Sequence, residues 1–230
     1  MNNSSFKRPL NAIEKFIMVI VFAAMIFGII AAAVNKTWFV NSYVKEDGPI
    51  EWSTEIPLFA IFLICIIYLF KYAKRKNFWF FIIYLFIGLG SFFVCGEEIS
   101  WGQRIFNFKT STYFQEHNSQ DEENIHNLVL DGEKLNKIIF TDALIAVVVI
   151  YLIIFPLIYS RNEKFKKFID KAALPLPTLY QIIACVAVFI LSFLTFDPKG
   201  SELLEFGGSF IFMLIILYPA NKHARQLSNK

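Results

Sequence analysis

The chain has 230 residues, of which 56% are hydrophobic, 17% aromatic and only 18% charged, and its mean hydropathy is +0.52. This composition lies outside the range of soluble globular domains and within that of multipass membrane proteins. The net charge of +3 says little by itself, because the charges are sorted by loop. The basic loops are short, so we expect no nucleic-acid partner and a lipid bilayer as the main surrounding.

The first element is an uninterrupted apolar run over residues 16–34, which follows a polar start that contains Lys7, Arg8 and Lys15. The run is long enough to cross roughly 30 Å of hydrocarbon, so we predict a transmembrane helix. A cleaved signal peptide is the alternative, because the alanines at 31–33 follow a basic segment and an apolar one. In either case, the loop that follows lies outside.

Two further spans are predicted at residues 56–70 and 78–95. Pro57 would lie in the first turn of the second span, where its missing N–H does no harm. Gly88 and Gly90 in the third span are small enough to allow a neighbouring helix to approach closely. The last three spans are predicted at 138–159, 179–196 and 203–218.

Residues 96–136 form a polar segment that is too long for an idle connection. We predict that the third helix continues through 96–106 and that a second short helix covers 120–130. The predicted fold class is therefore all-α, a six-transmembrane-helix bundle with a long extracytoplasmic loop that contains short interfacial helices. We find no second domain, so residues 1–230 are treated as a single integral membrane domain.

The distribution of charge predicts the orientation. Short cytoplasmic loops of membrane proteins hold the excess of Lys and Arg. With the N-terminus inside, the inner segments hold 15 Lys and Arg against 3 Asp and Glu, whereas the outer segments hold 6 against 15. We therefore expect both termini in the cytoplasm of a bacterial inner membrane.

The most unusual stretch is GEEISWGQR at residues 96–104, which places Glu97 and Glu98 at the mouth of a membrane helix. If the helix continues, Glu97, Trp101 and Arg104 share one face. The helix dipole disfavours negative charge at this C-terminal end, so a cation must offset it. One interpretation is a Glu97–Arg104 ion pair that anchors the loop, and the other is a functional site.

A second polar pattern lies in the same loop, at residues 117–127. Glu123 and His126 are spaced i and i+3, which points a carboxylate and an imidazole in one direction on a helix. Metal sites of helical bundles use such pairs, although they normally need two of them and two further carboxylates. A solvated acidic loop is the alternative.

Acidic pairs also precede the second and sixth spans: Glu51 with Glu55, and Glu202 with Glu205. Each pair by itself is typical of a helix N-terminus, where the dipole favours carboxylates. Together with Glu97–Glu98 and Asp142, which lies just inside the fourth span, they bring carboxylates from four helices to one boundary of the membrane. Such a cluster favours cation binding or acid–base chemistry.

Several kinds of site are disfavoured. The sequence contains no Gly-x-Ser-x-Gly, no phosphate-binding glycine loop and no His-Glu-x-x-His. A membrane hydrolase with three histidines on one zinc fits poorly, because His117 and His126 are predicted outside and His223 inside. The three cysteines are widely spaced in apolar runs and are expected to be small buried hydrophobic residues.

The stretch EEISWGQRIF at 97–106, followed by the spaced residues Asn118, Gln120, Glu123, Asn124, His126 and Asn127, resembles a pattern of uncharacterised bacterial multipass inner-membrane proteins. The segment EDGPIEW at 46–52 resembles a third block of the same group. The resemblance implies a bacterial membrane location and a common site on the outer face. It implies no particular activity.

We predict a carboxylate- and histidine-rich site on the outer face, which fits a metal-assisted hydrolase or transferase that acts on a lipid or lipid-linked substrate. The alternative is a non-catalytic subunit or assembly factor that docks a partner protein through the outer loops. A transporter would need polar residues at mid-membrane, which are largely absent.

The candidate catalytic residues are Glu97, Glu98 and Arg104. The candidate ligands of a divalent metal ion are Glu98, Glu123 and His126. Other candidates on this face are Glu51, Trp101, Gln103, Asn127 and Glu202.

Overall fold

The computed structural model describes residues 6–73, 77–125, 127–130, 133–134 and 144–226. These residues are helical except for connecting turns and one small antiparallel hairpin, formed by β1 (Val129–Leu130) and β2 (Glu133–Lys134). The helices are α1 (Ala12–Val34), α2 (Pro49–Tyr72), α3 (Phe78–Glu98), α4 (Gln103–Phe106), α5 (Thr112–His117), α6 (Leu144–Val149), α7 (Phe155–Arg161), α8 (Glu163–Ala172), α9 (Leu179–Phe193) and α10 (Gly200–Leu217).

Four helices, α1, α2, α3 and α10, are long and apolar enough to cross a membrane. A fifth candidate is a bent pair, Ala146–Arg161 with Glu163–Ala172, whose two parts meet at 120°. These helices identify a multipass membrane protein. The predicted spans at 16–34, 56–70 and 78–95 fall within α1, α2 and α3, and the predicted span at 203–218 falls within α10 except for its last residue.

The two other predicted spans are matched only in part by the described residues. Part of the predicted span at 138–159, including Asp142, lies outside the described residues. The predicted span at 179–196 corresponds to α9, which has 15 residues. At 1.5 Å per residue this helix is about 22 Å long, which is shorter than a hydrocarbon core of about 30 Å.

The second span also begins earlier than predicted. Helix α2 starts with Pro49 at its first position, so Pro57 lies inside the helix and not in its first turn. The sequence was misleading because the first two turns of α2 are polar and only the later turns are apolar. As a result, Glu51 and Glu55 belong to the helix itself, in the two polar turns that precede its apolar part.

Helix α10 lies at the centre of the bundle, where it packs against α1, α2 and α9. Small residues permit this packing: a Cβ atom added at Gly207 of α10 would lie 2.7 Å from Val188 of α9. Gly88 of α3 likewise lies against Cys65 of α2, as predicted, whereas Gly90 faces open space. Large apolar side chains such as Phe70 and Phe86 remain exposed on the outside of the bundle, as expected for contact with lipid.

The helices place two polar regions at opposite ends of the bundle. At the end that carries Glu98, which we call the acidic end, Lys36 pairs with Asp197 at 2.9 Å and Lys199 with Glu46 at 3.4 Å. At the other end, the basic end, the chain after α8 meets the chain after α10. There, the Asn221 side chain accepts a hydrogen bond from the Leu176 amide at 3.0 Å.

A buried carboxylate that the sequence did not reveal joins three helices at the basic end. Glu14 of α1 is fully buried, and Asn11 and Glu14 form a capping box. The Glu14 carboxylate accepts hydrogen bonds from Arg8 at 2.7 and 2.8 Å and from Gln181 of α9 at 3.0 Å. Gln181 also donates to the Leu214 carbonyl of α10, so one polar network fixes α1, α9 and α10.

The segment after α6 contains a π-helical turn and an amphipathic helix. Residues Ile150–Ile154 form a π-helical turn directly before Pro156, which has no N–H to continue an α-helical ladder. The lysine-rich stretch between the fourth and fifth predicted spans forms helix α8, which is amphipathic and is bent by 120° from the preceding helix. Such a helix suits a position along the surface of a membrane.

Candidate functional site

The three polar sequence blocks meet at the acidic end. In chain order, the first block (46–52) includes the start of α2, and the second (97–106) includes the end of α3 and the turn after it. The third (118–125 and 127) lies between α5 and the β-hairpin. Gln120 donates a hydrogen bond to Glu46 at 2.8 Å, and Arg104 forms ion pairs with both Asp47 and Glu122. Residues far apart in the sequence therefore form one polar cap over the helix ends.

Helix α3 does not continue through 96–106 as predicted. It ends at Glu98, and Ser100, Trp101 and Gly102 all have positive φ angles, of 47°, 53° and 79°. This left-handed run turns the chain back over the helix end. The Trp101 ring then packs over Gly96, where an added Cβ atom would lie 2.8 Å from the ring.

Glu97 is held inside this turn. It is 1% exposed, and its two oxygens accept hydrogen bonds from the Trp101 indole N–H at 2.8 Å and the Ile125 amide at 2.6 Å. Arg104 lies elsewhere and pairs with Asp47 and Glu122. The predicted Glu97–Arg104 ion pair is therefore wrong, because the break after Glu98 moves Arg104 off the helix face that Glu97 occupies.

Glu122 is the centre of a buried network that links the second and third blocks. Its Oε2 atom accepts hydrogen bonds from Ser100 at 3.0 Å, Asn124 at 2.8 Å and Asn127 at 3.0 Å. Asn124 also donates to the Ser100 hydroxyl at 3.0 Å. Three donors and the nearby Arg104 balance the negative charge of this buried carboxylate.

The same network explains why residues 120–130 do not form the predicted helix. The Asn118 side chain accepts from the Gln120 amide at 2.9 Å and donates to the Asn124 carbonyl at 2.9 Å. Asn side chains compete with the helical ladder through such local bonds. The segment instead forms bends that are closed by a bridge between Asn118 and Leu128 and by the β-hairpin.

Gln103 and Glu123 fasten the loop between α4 and α5. Gln103 accepts from the Glu123 amide at 2.8 Å and donates to the Thr110 hydroxyl at 2.7 Å. The Glu123 carboxylate accepts from the Ser111 amide at 2.7 Å and from its hydroxyl at 2.8 Å. Glu123 thus holds Ser111, the N-cap residue that precedes α5.

This arrangement bears on the predicted metal ligands. His126 lies outside the described residues, and Glu123 already binds Ser111 through both oxygens. Among the residues that the structure describes, no group of three or more His, Cys, Asp or Glu side chains is arranged to hold a metal ion. His117, the other histidine of this loop, stacks on Tyr113 and bonds to its carbonyl at 2.9 Å.

Arg104 and Lys199 supply positive charge around the cap. Burial lowers the pKa of Arg104, but Glu122 and Asp47 outweigh it, so the pKa of Arg104 is raised above its usual value. Burial also lowers the pKa of Lys199, yet Glu202 and Glu46 raise it overall. Both side chains are therefore held in their charged form between acidic partners.

Beneath the cap lies a set of carboxylates that we call the carboxylate cluster, and α2, α3 and α10 supply its members. Glu98 of α3 is largely buried and interacts electrostatically with the other four. The members are Glu51, Glu55, Glu98, Glu202 and Glu205. The sequence pairs i, i+4 in α2 and i, i+3 in α10 predicted this convergence, and the structure brings the pairs together around Glu98.

Glu55 is the most unusual member of the carboxylate cluster. It is 7% exposed, and neither carboxylate oxygen has a hydrogen-bond partner in the described part of the chain. The thiol of Cys95 on α3 interacts with this carboxylate, but a thiol is only a weak hydrogen-bond donor and does not satisfy it. A buried carboxylate without hydrogen bonds costs free energy, so its presence calls for a function or a ligand.

Comparison of the chain with protein-family models, with curated proteins and with solved structures gave no match. The function must therefore be inferred from the residues themselves. Ser100, Glu122 and Asn124 were not among the predicted site residues. Their only sequence signal is that they lie within the same polar blocks as Glu98 and Asn127.

Proposed function

We propose that the chain is a membrane enzyme, a hydrolase or transferase, that acts on a lipid or lipid-linked substrate at the acidic end. The observation that carries this proposal is the buried Glu55 carboxylate, which has no hydrogen-bond partner among the described residues and interacts with Glu98. Structural carboxylates of this protein, such as Glu97 and Glu122, are saturated with donors. The contrast supports a chemical role for the carboxylate cluster.

In this proposal, Glu98 is the acid–base group, and Glu55 and Glu205 are its partners. One carboxylate accepts the proton of the attacking water or hydroxyl, and a protonated neighbour returns a proton to the leaving oxygen. Neighbouring carboxylates are suited to this division, because they cannot all carry full charge at close range. The position at a helix end near the membrane surface suits a substrate with a lipid tail.

The two other predicted catalytic residues receive different roles. Glu97 positions the turn after α3 through Trp101 and Ile125. Arg104 fastens the cap through Asp47 and Glu122, with a side chain that is 43% exposed and so still accessible to an anionic headgroup. We therefore assign proton transfer to Glu98 and a structural role to Glu97.

The narrower hypothesis includes a divalent metal ion. A cation among the carboxylates would balance their charge and polarise a carbonyl or phosphoryl oxygen of the substrate. Element-specific mass spectrometry of the purified chain tests this directly. The metal-assisted mechanism predicts stoichiometric metal in the wild-type chain and in the Glu97→Gln control, and its loss in Glu98→Gln. Equal metal content in the wild-type chain and both variants would contradict it.

The enzymatic proposal is tested with vesicles made from a bacterial lipid extract. Purified wild-type chain is incorporated, and lipid mass spectrometry follows the appearance of converted species. Conversion that is lost in Glu98→Gln, while the variant keeps its unfolding temperature, supports the proposal. Absence of any conversion by the wild-type chain, with and without added divalent cations, counts against it.

A second candidate function, docking of a partner protein, is favoured by exposed apolar residues of the loop. Ile105, Phe106, Phe108 and Tyr113 are 57%, 75%, 41% and 52% exposed. A patch of this kind fits either the membrane interface or a protein surface. Co-purification of one stoichiometric partner, lost on Phe106→Ser but not on the control Phe70→Ser, would support the subunit hypothesis.

The proposed location is a bacterial inner membrane, with six spans and both termini in the cytoplasm. Support comes from the excess of Lys and Arg in the segments at the basic end and from the resemblance of the three polar blocks. Under this proposal the acidic end lies on the outer face. A reporter fused at residue 110 should be active outside the cytoplasm, and cytoplasmic activity would overturn the orientation.

A further inference from the structure

A cavity lies at the basic end, far from the carboxylate cluster. It has a volume of about 270 Å³ and lies between the end of α2 and the chain that follows α10. Its lining consists of Tyr68, Lys71, Tyr72, Leu217, Tyr218, Lys222 and Arg225. Neither the predicted site nor the proposed function uses any of these residues.

The lining is strongly cationic. It contributes the positive charges of Lys71, Lys222 and Arg225, and the described lining residues include no Asp or Glu. The two lysines are exposed, so their ammonium groups are accessible to a ligand. Lys71 lies 5.6 Å from the centre of the Tyr72 ring, which keeps its charge near the cavity.

Arg225 gives the cavity a fixed wall. It is 4% exposed and donates hydrogen bonds to the Tyr84 hydroxyl at 3.0 Å, to the Tyr68 hydroxyl at 3.0 Å and to the Leu217 carbonyl at 3.3 Å. Its guanidinium also lies 4.5 Å from the centre of the Tyr68 ring. A buried arginine held by this many partners is part of a built site and not a mobile surface side chain.

These contacts direct a donor into the cavity. The Tyr84 hydroxyl donates a hydrogen bond to the Ala173 carbonyl at 3.1 Å, so it has no hydrogen left to donate to a ligand. Tyr68 accepts from Arg225, and no acceptor for its hydroxyl hydrogen is found in the described part of the chain. Tyr68 can therefore donate to an oxygen of a ligand, beside the two lysines.

We propose that this cavity binds a phosphate group. Two ammonium groups, a phenolic donor and a fixed guanidinium match the charge and the acceptor oxygens of a phosphate ester. The aromatic rings and Leu217 next to these donors provide an apolar side that suits the adjoining part of an anionic lipid. The two sources of the same chemistry are a lipid headgroup in the membrane and free inorganic phosphate.

The test uses the full chain purified in detergent. Native mass spectrometry measures binding from equimolar phosphatidylglycerol and phosphatidylcholine, and equilibrium dialysis measures binding of inorganic phosphate. Retention of phosphatidylglycerol alone identifies a lipid headgroup site, whereas retention of inorganic phosphate identifies a site for the free anion. No preference for phosphatidylglycerol together with no phosphate binding overturns the proposal.

Variants locate the site. We expect Lys71→Ala/Lys222→Ala to weaken retention at least about tenfold, since each lysine near a membrane surface contributes roughly 1 kcal/mol toward an anion. The control is Lys164→Ala/Lys167→Ala, which removes two exposed lysines of α8 that do not line the cavity. Equal losses of retention in both double variants would mean that binding depends on general surface charge, and they would overturn the proposal.

A milder variant guards against loss of folding. Tyr68→Phe keeps the ring that contacts Tyr84 and the Arg225 guanidinium and removes the hydroxyl that we propose as the donor to the ligand. We expect about three- to tenfold weaker retention, the effect of one hydrogen bond to a charged acceptor. Unchanged retention in both Tyr68→Phe and the lysine variant, with unchanged unfolding temperature, excludes the cavity as the binding site.

Discussion

Glu97 and Glu98 are neighbours in the chain, but their carboxylates have different surroundings. Glu97 accepts hydrogen bonds from Trp101 and Ile125 and fixes the turn that follows α3. Glu98 instead interacts with four carboxylates of α2 and α10. The pair therefore combines an architectural residue with a residue that we place at the centre of a chemical site.

Glu97→Gln should destabilise the protein. The amide keeps only one acceptor oxygen, so one of the buried donors from Trp101 and Ile125 loses its partner, at a cost of about 1 to 3 kcal/mol. The expected result is a lower unfolding temperature in detergent, measured by tryptophan fluorescence or circular dichroism. The matched control is Glu116→Gln at an exposed position of α5, and an equal change in both variants would contradict the role of Glu97.

Gly96→Ala should also destabilise, because the new methyl group would meet the Trp101 ring at 2.8 Å. We expect a loss of about 1 to 3 kcal/mol, typical of overpacking in a fixed environment. Gly90→Ala, six residues earlier in the same helix, faces open space and should leave the unfolding temperature unchanged or slightly raised. Similar effects of the two substitutions would show that Trp101 does not cover Gly96.

Glu55→Met should have the opposite effect on stability. It replaces a buried carboxyl group, whose oxygens have no hydrogen-bond partner in the described part of the chain, with an apolar side chain of similar length. We expect the free energy of unfolding to rise by about 1 to 3 kcal/mol, while lipid conversion falls. A strong loss of stability in Glu55→Met would indicate that Glu55 has a structural partner and would contradict its assignment to a reactive site.

The ion pair of Lys36 with Asp197 predicts a dependence on pH. A hydrogen bond from Lys36, together with the Lys199 amide, lowers the pKa of Asp197 below its usual value of 3.8. Because the folded state binds this proton more weakly, the pair stabilises the fold above about pH 4 and loses its contribution as the pH falls further. Asp197→Asn should remove this part of the acid dependence and cost up to about 1 kcal/mol at neutral pH.

Unfolding temperatures measured between about pH 6 and pH 3 test this prediction. The wild-type chain and the exposed-site control Asp121→Asn should lose stability together at the acid end of the range. The Asp197→Asn variant should show a smaller decrease. Parallel curves for all three proteins would rule out a contribution from the pair with Lys36.

The membrane character and the meeting of carboxylates at one end could be predicted from the sequence. Long apolar runs mark α1, α2, α3 and α10, and the i, i+4 and i, i+3 spacing of the glutamates fixes which helix face they share. The start of α2 was missed because its first two turns are polar, so hydropathy alone placed the boundary near residue 56. Sequence periodicity is a weak guide where a helix leaves the membrane.

The structure of the polar cap could not be predicted, for two physical reasons. Positive φ angles at Ser100 and Trp101 are unfavourable for residues with side chains, and long-range contacts such as the Ser100–Glu122 hydrogen bond hold them in place. Asn118 and Asn124 stop helix formation through bonds that become visible only when the chain is folded. The burial of Glu14 and Arg225 escaped notice because it depends on partners such as Gln181 and Tyr84, which are distant in sequence.

The most direct test of the different roles of Glu97 and Glu98 is to measure lipid conversion by matched variants in vesicles of bacterial lipid extract. Glu98→Gln should abolish conversion even at temperatures where it is folded, whereas Glu97→Gln should lower the unfolding temperature and retain conversion at temperatures where it is folded. Conversion that persists in Glu98→Gln, or that is lost in folded Glu97→Gln, would contradict the assignment of the chemistry to Glu98.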